Sequence, residues 1–184
     1  MSNLVIYTAF HQLNQNGHAG KTALGFDMRY KKDKKRVFKV EERTYGQMWL
    51  LWVTRLLTDA KDMFEERDTI TLITNQSDVI KMMEKVERCL IQCFLKQATK
   101  RDDVAKIVYQ QSKWRHLPNN DLYVDLVLQL LELHQEKRIS LVTSNQSSPI
   151  CSKLYKDART KLEPGWTPKR TKRKPNLKLV VNNT

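Results

Sequence analysis

Leu4-Val5-Ile6-Tyr7-Thr8-Ala9-Phe10 is an apolar stretch near the start of the chain, rich in residues that favour β-strands. Such residues pack well on a buried, pleated surface, so the stretch predicts the central strand of a mixed sheet. The polar loop Asn14-Gln15-Asn16-Gly17 follows it. We expect the rest of the chain to be arranged around this first strand.

Two further strands are predicted from alternating apolar and polar residues. The first, Thr22 to Tyr30, has four large side chains on one face: Leu24, Phe26, Met28 and Tyr30. The charged turn Lys31 to Lys35 separates it from the second, Arg36 to Glu42, which places Phe38 and Val40 on one face. Consecutive strands joined by short polar connections predict an antiparallel meander.

A helix is predicted after the third strand. Thr44 to Gln47 fits a capping box, in which the Thr44 hydroxyl accepts the backbone N–H of Gln47 and Gln47 reaches back. The following residues are apolar around much of the helix, so we expect this helix to be buried. Thr69 to Thr74 predicts a fourth strand, and Asn75 or Ser77 is predicted to cap the next helix. The buried stripe of that helix comprises Val79, Met83, Val86, Leu90 and Phe94.

The second half of the chain alternates helices with strands. A weaker helical pattern runs through the basic segment 96–115, and a helix is predicted over 121–135. A fifth strand is predicted over 138–142, and a last helix over 149–162 begins after a Ser148 cap. Strands that alternate with helices pair in parallel through right-handed crossovers. The pattern therefore predicts an α/β chain with an antiparallel and a parallel half.

Charge is unevenly distributed along the chain. The net charge is +13, and no acid follows Glu163. We predict one domain over residues 1–163 and a basic, proline-punctuated tail over residues 164–184 that is disordered when free. The tail holds six of the 33 basic residues, and the other 27 accompany all 20 acids. A domain that is basic even without its tail favours a polyanionic partner, most often nucleic acid. The alternative is a solvated basic surface that keeps the protein soluble.

The sequence favours an intracellular protein without a membrane partner. No run of eighteen apolar residues is present, and Met1 to Asn3 contains no basic region followed by an apolar run, as a secretory signal would. The three cysteines, Cys89, Cys93 and Cys151, fit free thiols in a reducing compartment. We expect a cytoplasmic location, or a nuclear one if the tail string Pro168 to Lys174 acts as an import signal.

The order of these elements, together with four local strings, resembles the ribonuclease H family. The strings are Thr69 to Lys81, Asn120 to Tyr123, Ile139 to Arg159, and the asparagine- and glycine-bearing turn from Asn14 to Gly20. The likeness covers about residues 4–162. It implies a ribonuclease H-like five-stranded mixed sheet, with three antiparallel strands followed by two parallel ones, flanked by helices.

Enzymes of that family hold two Mg²⁺ ions with clustered carboxylates, and the resemblance places neutral residues at those positions. They are Thr8, a site near Tyr45 (Gln47 or Met48 in another register), Asn75, and a site near Ser152. No Asp or Glu occurs within four windows that surround them: 1–26, 43–58, 69–77 and 137–156. Because Mg²⁺ prefers anionic oxygen ligands, we expect no metal or other cofactor and no two-metal cleavage. The sequence therefore predicts a protein that is not an enzyme.

Binding of nucleic acid does not need those carboxylates. The family's sugar-contacting loops match Asn14, Gln15, Asn16, Arg43 and Thr44, and the basic protrusion of some members matches Lys96, Lys100, Arg101, Lys113 and Arg115. The tail adds a nonspecific polyanion-binding arm of Lys169, Arg170, Lys172, Arg173 and Lys174. An A-form minor groove is read by shape and 2′-hydroxyls, so RNA-containing duplex or structured RNA is the expected ligand. Ordinary turn chemistry is the alternative interpretation of the polar loops.

Three functional hypotheses follow from the sequence. The first is an inactive ribonuclease H-like protein that binds nucleic acid mainly through phosphate contacts. The second is a protein-interaction module within a ribonucleoprotein or polymerase complex, which exposed aromatic residues such as Tyr45 or Trp114 would favour. The third is a metal-dependent nuclease whose ligands have moved to Asp78 and Asp157. Cys89 and Cys93 are interpreted as core thiols rather than metal ligands.

Overall fold

A computed structural model describes residues 2–15, 18–111, 119–145 and 148–167. One five-stranded sheet has the order β3-β2-β1-β4-β5. Its strands are β1 (Asn3–Gln15), β2 (His18–Tyr30), β3 (Asp33–Glu41), β4 (Thr69–Thr74) and β5 (Ser140–Asn145). The helices are α1 (Tyr45–Ala60), α2 (Ser77–Leu95), α3 (Arg101–Gln110), α4 (Asn120–Lys137) and α5 (Pro149–Leu162), and a short 3₁₀ turn (Lys61–Met63) follows α1.

The first strand, β1, is the centre of the sheet. It pairs antiparallel with β2, where Leu4 lies opposite Tyr30, and parallel with β4, where Asn3 lies opposite Thr69. Leu4 and Ile6 belong to the main core, together with side chains of α1, α2 and α4. The helix α5 packs on the other face, against β1 and β2. The predicted mixed sheet and its central strand are confirmed.

Glycine allows α5 to lie close to β2. A Cβ atom added to Gly25 would be 2.5 Å from the ring of Phe38 on β3 and 3.2 Å from the Leu154 side chain of α5. These distances are shorter than ordinary carbon contacts, so a larger residue would push α5 away from the sheet. The close approach of α5 matters because its first turn meets the middle of β1, at Thr8, and the end of β4.

The hairpins are tighter than the sequence predicted. β1 extends to Gln15 and β2 begins at His18, so Asn14 and Gln15 belong to a strand rather than to a loop. β3 begins at Asp33, which leaves only Lys31 and Lys32 as the turn between β2 and β3. Main-chain pairing continues through polar residues at these ends, and apolar alternation alone does not reveal such pairing.

The fifth strand begins and ends later than predicted. Arg138, the first residue of the predicted strand, has a φ of 54° and ends α4 as its left-handed cap. β5 therefore starts at Ser140 and continues through Ser144 to Asn145, residues that were predicted to lie in a polar loop.

Two of three predicted helix caps are confirmed. The Thr44 hydroxyl accepts the Gln47 N–H, and the Gln47 side chain accepts the Thr44 N–H, each at 3.3 Å. Ser148 accepts the Ile150 N–H at 3.2 Å at the start of α5. The prediction that Asn75 or Ser77 caps α2 is wrong, because the N-cap is Gln76, whose side chain makes no capping bond.

The thiols of α2 lie in the core as predicted, whereas one aromatic residue that was predicted to be buried is exposed. Cys89 and Cys93 are buried, and burial raises the pKa of the Cys89 thiol to about 11, which confirms them as core residues. Phe94, predicted as part of the same buried stripe, is 46% exposed and lies in the last turn of α2. Among the described residues, no helix has the length and apolar character needed to cross a bilayer.

A buried carboxylate joins three segments below the sheet. Asp68 accepts hydrogen bonds from the Ser2 N–H at 2.6 Å, the Tyr30 hydroxyl at 2.6 Å and the Glu65 N–H at 2.9 Å. Burial raises the pKa of the Asp68 carboxyl, but these hydrogen bonds outweigh burial and hold its pKa below the ordinary value. The charged form of Asp68 therefore stabilises the fold.

Asp68→Asn is expected to lower the free energy of unfolding at pH 7 by about 3 kcal/mol, since an amide offers one acceptor oxygen to three donors. Urea unfolding measures the loss, and Asp62→Asn at an exposed position should change stability by less than about 0.5 kcal/mol. The carboxylate's contribution is complete above its ordinary pKa of 3.8 and is lost as pH falls through the lowered folded value. A difference between wild type and variant that stayed constant far into the acid range would contradict this account.

Candidate functional site at the mouth of the sheet

A shallow depression opens where β1 runs on beyond its parallel partner. Pairing between β1 and β4 ends at Tyr7 and Ile73, while β1 continues to Gln15. The depression, which we call the mouth, has a volume of about 270 Å³. It is lined by Phe10, His11, Gln12, Tyr45, Gln76, Asp78 and Tyr155.

A glutamine amide closes the gap between the two strands. Gln76 Oε1 accepts the Phe10 N–H at 2.7 Å, and Gln76 Nε2 donates to the Phe10 carbonyl at 2.8 Å. The amide thus satisfies two main-chain groups of β1 that β4 no longer pairs. This use of the side chain explains why Gln76 does not cap its own helix.

Two polar contacts attach the start of α1 to the sheet, one to β1 and one to β2. Gln12 Oε1 accepts the Tyr45 N–H at 2.9 Å, and the Thr22 hydroxyl donates to the Arg43 carbonyl at 2.6 Å. The Tyr45 ring then stacks on Phe10, with the ring centroids 4.4 Å apart and the planes 9° apart. Burial, and to a lesser extent the Asp78 charge, raises the pKa of Tyr45. The tyrosine therefore stays neutral at physiological pH.

The fold brings three of the four predicted positions of lost carboxylates together around a neutral thiol. The Cys151 Sγ donates to the Ile73 carbonyl at 3.5 Å and is also close to the backbone of Thr8 and Asn75. Burial raises the pKa of the Cys151 thiol and outweighs those backbone contacts, which lower it. Ser152, the next residue of α5, is exposed.

Those positions differ in their surroundings. Thr8 is fully buried, and within the described ranges its hydroxyl has no hydrogen-bond partner. Asn75 is exposed at the end of β4, and Tyr45 is half-buried beneath its stacking partner Phe10. These three positions, at and beside the mouth, therefore carry neutral hydroxyl, amide and phenol groups.

Carboxylates near the mouth are few and separated. Asp78 lines it, whereas Glu163 accepts a hydrogen bond from His11 at 2.7 Å, which is the main reason that its pKa is lowered. Asp157 lies over β3 instead, 3.8 Å from the Arg36 guanidinium. In the part of the chain that the structure describes, no group of three or more His, Cys, Asp or Glu side chains could hold a metal ion. The described carboxylates therefore belong to separate contacts: Asp78 lines the mouth, Glu163 pairs with His11, and Asp157 lies beside Arg36.

The predicted nucleic-acid contacts fall into two separate regions. Arg43 lies beside the mouth, half-exposed and paired with Glu41 at 3.1 Å, while the Thr44 hydroxyl is used as the α1 cap. Lys96 follows α2, whose 19 residues start at the mouth and span about 28 Å. Lys100 and Arg101 begin α3 near that far end, and Arg101 pairs with Asp125 at 2.7 Å.

The remaining predicted contacts cannot be placed on either region. Asn14 and Gln15 lie at the β1–β2 hairpin, but the structure describes only their backbone. Asn16, Lys113, Arg115 and the basic tail residues Lys169, Arg170, Lys172, Arg173 and Lys174 lie outside the described residues.

The sequence did not single out several residues that build the mouth. They are His11, Gln12, Gln76, Tyr155 and Glu163. One signal was present: His11, Gln12 and Gln76 are polar residues just after the apolar stretches 4–10 and 69–74, where parallel pairing between β1 and β4 has ended. The contacts of Tyr155 and Glu163 depend on where α5 crosses the sheet, which local sequence does not specify.

Comparisons with known proteins identify the fold. No family model matches the chain, and no curated protein matches it in sequence. The solution structure of the RNase H domain of prototype foamy virus has a TM-score of 0.50 and 11% identity, covering 84% of this chain and 93% of that one. A foamy viral protease-reverse transcriptase solved in complex with dsDNA has a TM-score of 0.50 and 12% identity, covering 84% and 92%. The chain has a ribonuclease H-like fold.

Gln76→Met tests the two hydrogen bonds by which the Gln76 amide holds β1 at the mouth of this ribonuclease H-like sheet. The substitution keeps the side-chain volume but removes both hydrogen bonds to Phe10, so we expect a loss of about 2 kcal/mol in the free energy of unfolding. Hydrogen exchange at the Phe10 amide should also become faster than in the wild type. Gln110→Met on the exposed face of α3 serves as the control and should change neither measurement. Unchanged exchange at Phe10 would show that Gln76 does not hold β1.

Proposed function

We propose that the chain binds nucleic acid through its ribonuclease H-like fold and does not cleave it. The observation that carries the proposal is the chemistry at and beside the mouth, where neutral Thr8, Tyr45 and Asn75 occupy the positions predicted for metal-binding carboxylates. Two divalent ions beside a phosphate need several anionic oxygens to offset their charge. Asp78, the one acid among the described lining residues, does not supply them.

The charge of the chain supports a nucleic-acid partner. A net charge of +13 favours a polyanion, because each neutralised phosphate releases condensed counterions. One structurally similar protein, the foamy viral protease-reverse transcriptase, was solved in complex with dsDNA. For the present chain we propose RNA-containing duplex or structured RNA, recognised by groove shape and 2′-hydroxyls without a metal ion. Such a ligand is consistent with a cytoplasmic or nuclear protein.

Binding is expected to fall steeply with salt. Dissociation constants for RNA–DNA hybrid, double-stranded RNA, double-stranded DNA and single strands, measured at two salt concentrations, should rank the RNA-containing duplexes first. Arg43→Ala and Lys100→Ala should each weaken binding to all duplexes and reduce the slope of log affinity against log salt by about 0.9. Lys32→Ala, at the exposed β2–β3 turn, serves as the control. Affinity that ignores salt, or no binding to any ligand, would overturn the proposal.

Cleavage is expected to be absent from the same samples. Incubation with Mg²⁺ or Mn²⁺ should leave every bound ligand intact, since the mouth lacks the ligands for paired metal ions. The decisive control is Asp78→Ala: metal-dependent cleavage by the wild type that disappears in this variant, but persists in Asp157→Ala, would identify a nuclease with a relocated ligand. That result would replace the proposal of an inactive protein.

A further inference from the structure

An apolar groove lies far from the mouth, between α2, α4 and β5. It has a volume of about 300 Å³ and is lined mainly by Leu90, Ile91, Phe94, Leu130, Ile139 and Leu141. We call it the α2–β5 groove. Neither the fold nor the proposed nucleic-acid binding uses it.

The groove borders the open edge of the sheet. β5 is the terminal strand, and within the described ranges no strand pairs with its outer edge. Apolar side chains surround this edge: Ile91 is 56% exposed, Phe94 46%, Leu95 73% and Val142 47%. Another strand can pair with an unpaired edge that lies beside exposed apolar residues. Proteins therefore shield such an edge with a further segment of the chain or with a partner.

The tail of the chain contains a segment with matching chemistry. Leu177-Lys178-Leu179-Val180-Val181 has four apolar residues in five, and two of them are β-branched. It follows Pro175, after the basic run, and contrasts with the polar residues on either side. A segment of this composition can pair with an open strand edge through its main chain while alternate side chains enter an apolar groove.

The tail is long enough to reach this edge. Glu163 is held 2.7 Å from His11 of β1, so the described chain ends near the central strand. A strand added beyond β5 would lie three strand spacings from β1, or about 14 Å. Residues 168–176 span up to about 30 Å when extended, which covers that distance and the step around the sheet edge.

We propose that residues 177–181 dock in the α2–β5 groove of the same chain. A second copy could offer the same segment, but two chains with a net charge of +13 repel each other. The tail of the same chain is present at an effective concentration in the millimolar range, independent of dilution. Docking would cover the exposed apolar residues and the edge of β5 without any partner.

Limited trypsin digestion of the full chain tests the proposal, because the tail contains cleavage sites inside and outside the docking segment. Initial rates of cleavage after Lys178 and after Lys172 are measured by intact mass, and their ratio is compared with that in a synthetic peptide of residues 165–184. Docking should slow cleavage after Lys178 by about tenfold relative to the peptide ratio. Phe94→Asp should restore the peptide ratio, and Leu179→Asp should restore the ratio of a peptide that carries the same substitution.

Met63→Asp is the matched control, since Met63 is 50% exposed and belongs to the 3₁₀ turn after α1. This variant should keep the protection, and circular dichroism should show that all variants are folded. A wild-type ratio equal to the peptide's would overturn the proposal, as would protection that Phe94→Asp leaves intact. Protection that disappears on dilution together with a dimer seen by light scattering would assign the groove to a second copy instead.

Discussion

The main-chain pairing of β1 with a neighbour on each edge is the interaction on which the rest of the structure depends. β2 covers one edge along almost the whole strand, but β4 covers the other edge only as far as Tyr7. Beyond that point, buried N–H and carbonyl groups of β1 need other partners. The Gln76 amide supplies them at Phe10, so the second residue after β4 both completes the sheet and shapes the mouth.

The same constraint determines the electrostatics of the mouth. Gln12 and Gln76 satisfy main-chain groups with neutral amides, and Phe10 and Tyr45 fill the space beside them with stacked rings. These groups carry no charge and need no counter-ion. His11 and Glu163 form a partly buried contact beside these groups.

Sequence predicted the parts of the fold that depend on local chemistry. The first strand, the Thr44 capping box and the Ser148 cap follow from residue type over a few positions, and all three are confirmed. The cap of α2 was mispredicted because a long-range contact took priority: Asn75 and Ser77 have good capping side chains, but the chain enters α2 so that Gln76 reaches Phe10. Phe94 was mispredicted because apolar periodicity identifies only which face of a helix points inward. It does not show how far the neighbouring helices and strands extend along that face.

The candidate site was predictable only as a set of positions. Resemblance located Thr8, Asn75 and the start of α5, and the structure brings these three together around Cys151. The hydrogen bonds of Gln76 to Phe10 and the stacking of Tyr45 on Phe10 could be predicted only by knowing where β4 ends and where α1 begins relative to β1. Such distances arise from packing between elements that are far apart in sequence, so a local pattern does not contain them.

Burial explains why a neutral residue suits one of these positions, Thr8, whose side chain is fully buried. A carboxylate at position 8 would be fully buried in the surroundings that the structure shows, where desolvation disfavours charge unless a cation is bound. Several carboxylates placed together there would also repel one another, so any one of them is tolerated only as part of a metal-binding group. If no metal is bound, a neutral side chain avoids both the desolvation of a buried charge and the repulsion between neighbouring carboxylates. The orphaned hydroxyl of Thr8 costs far less than a buried, unpaired charge, which accounts for a mouth that is polar but uncharged at its base.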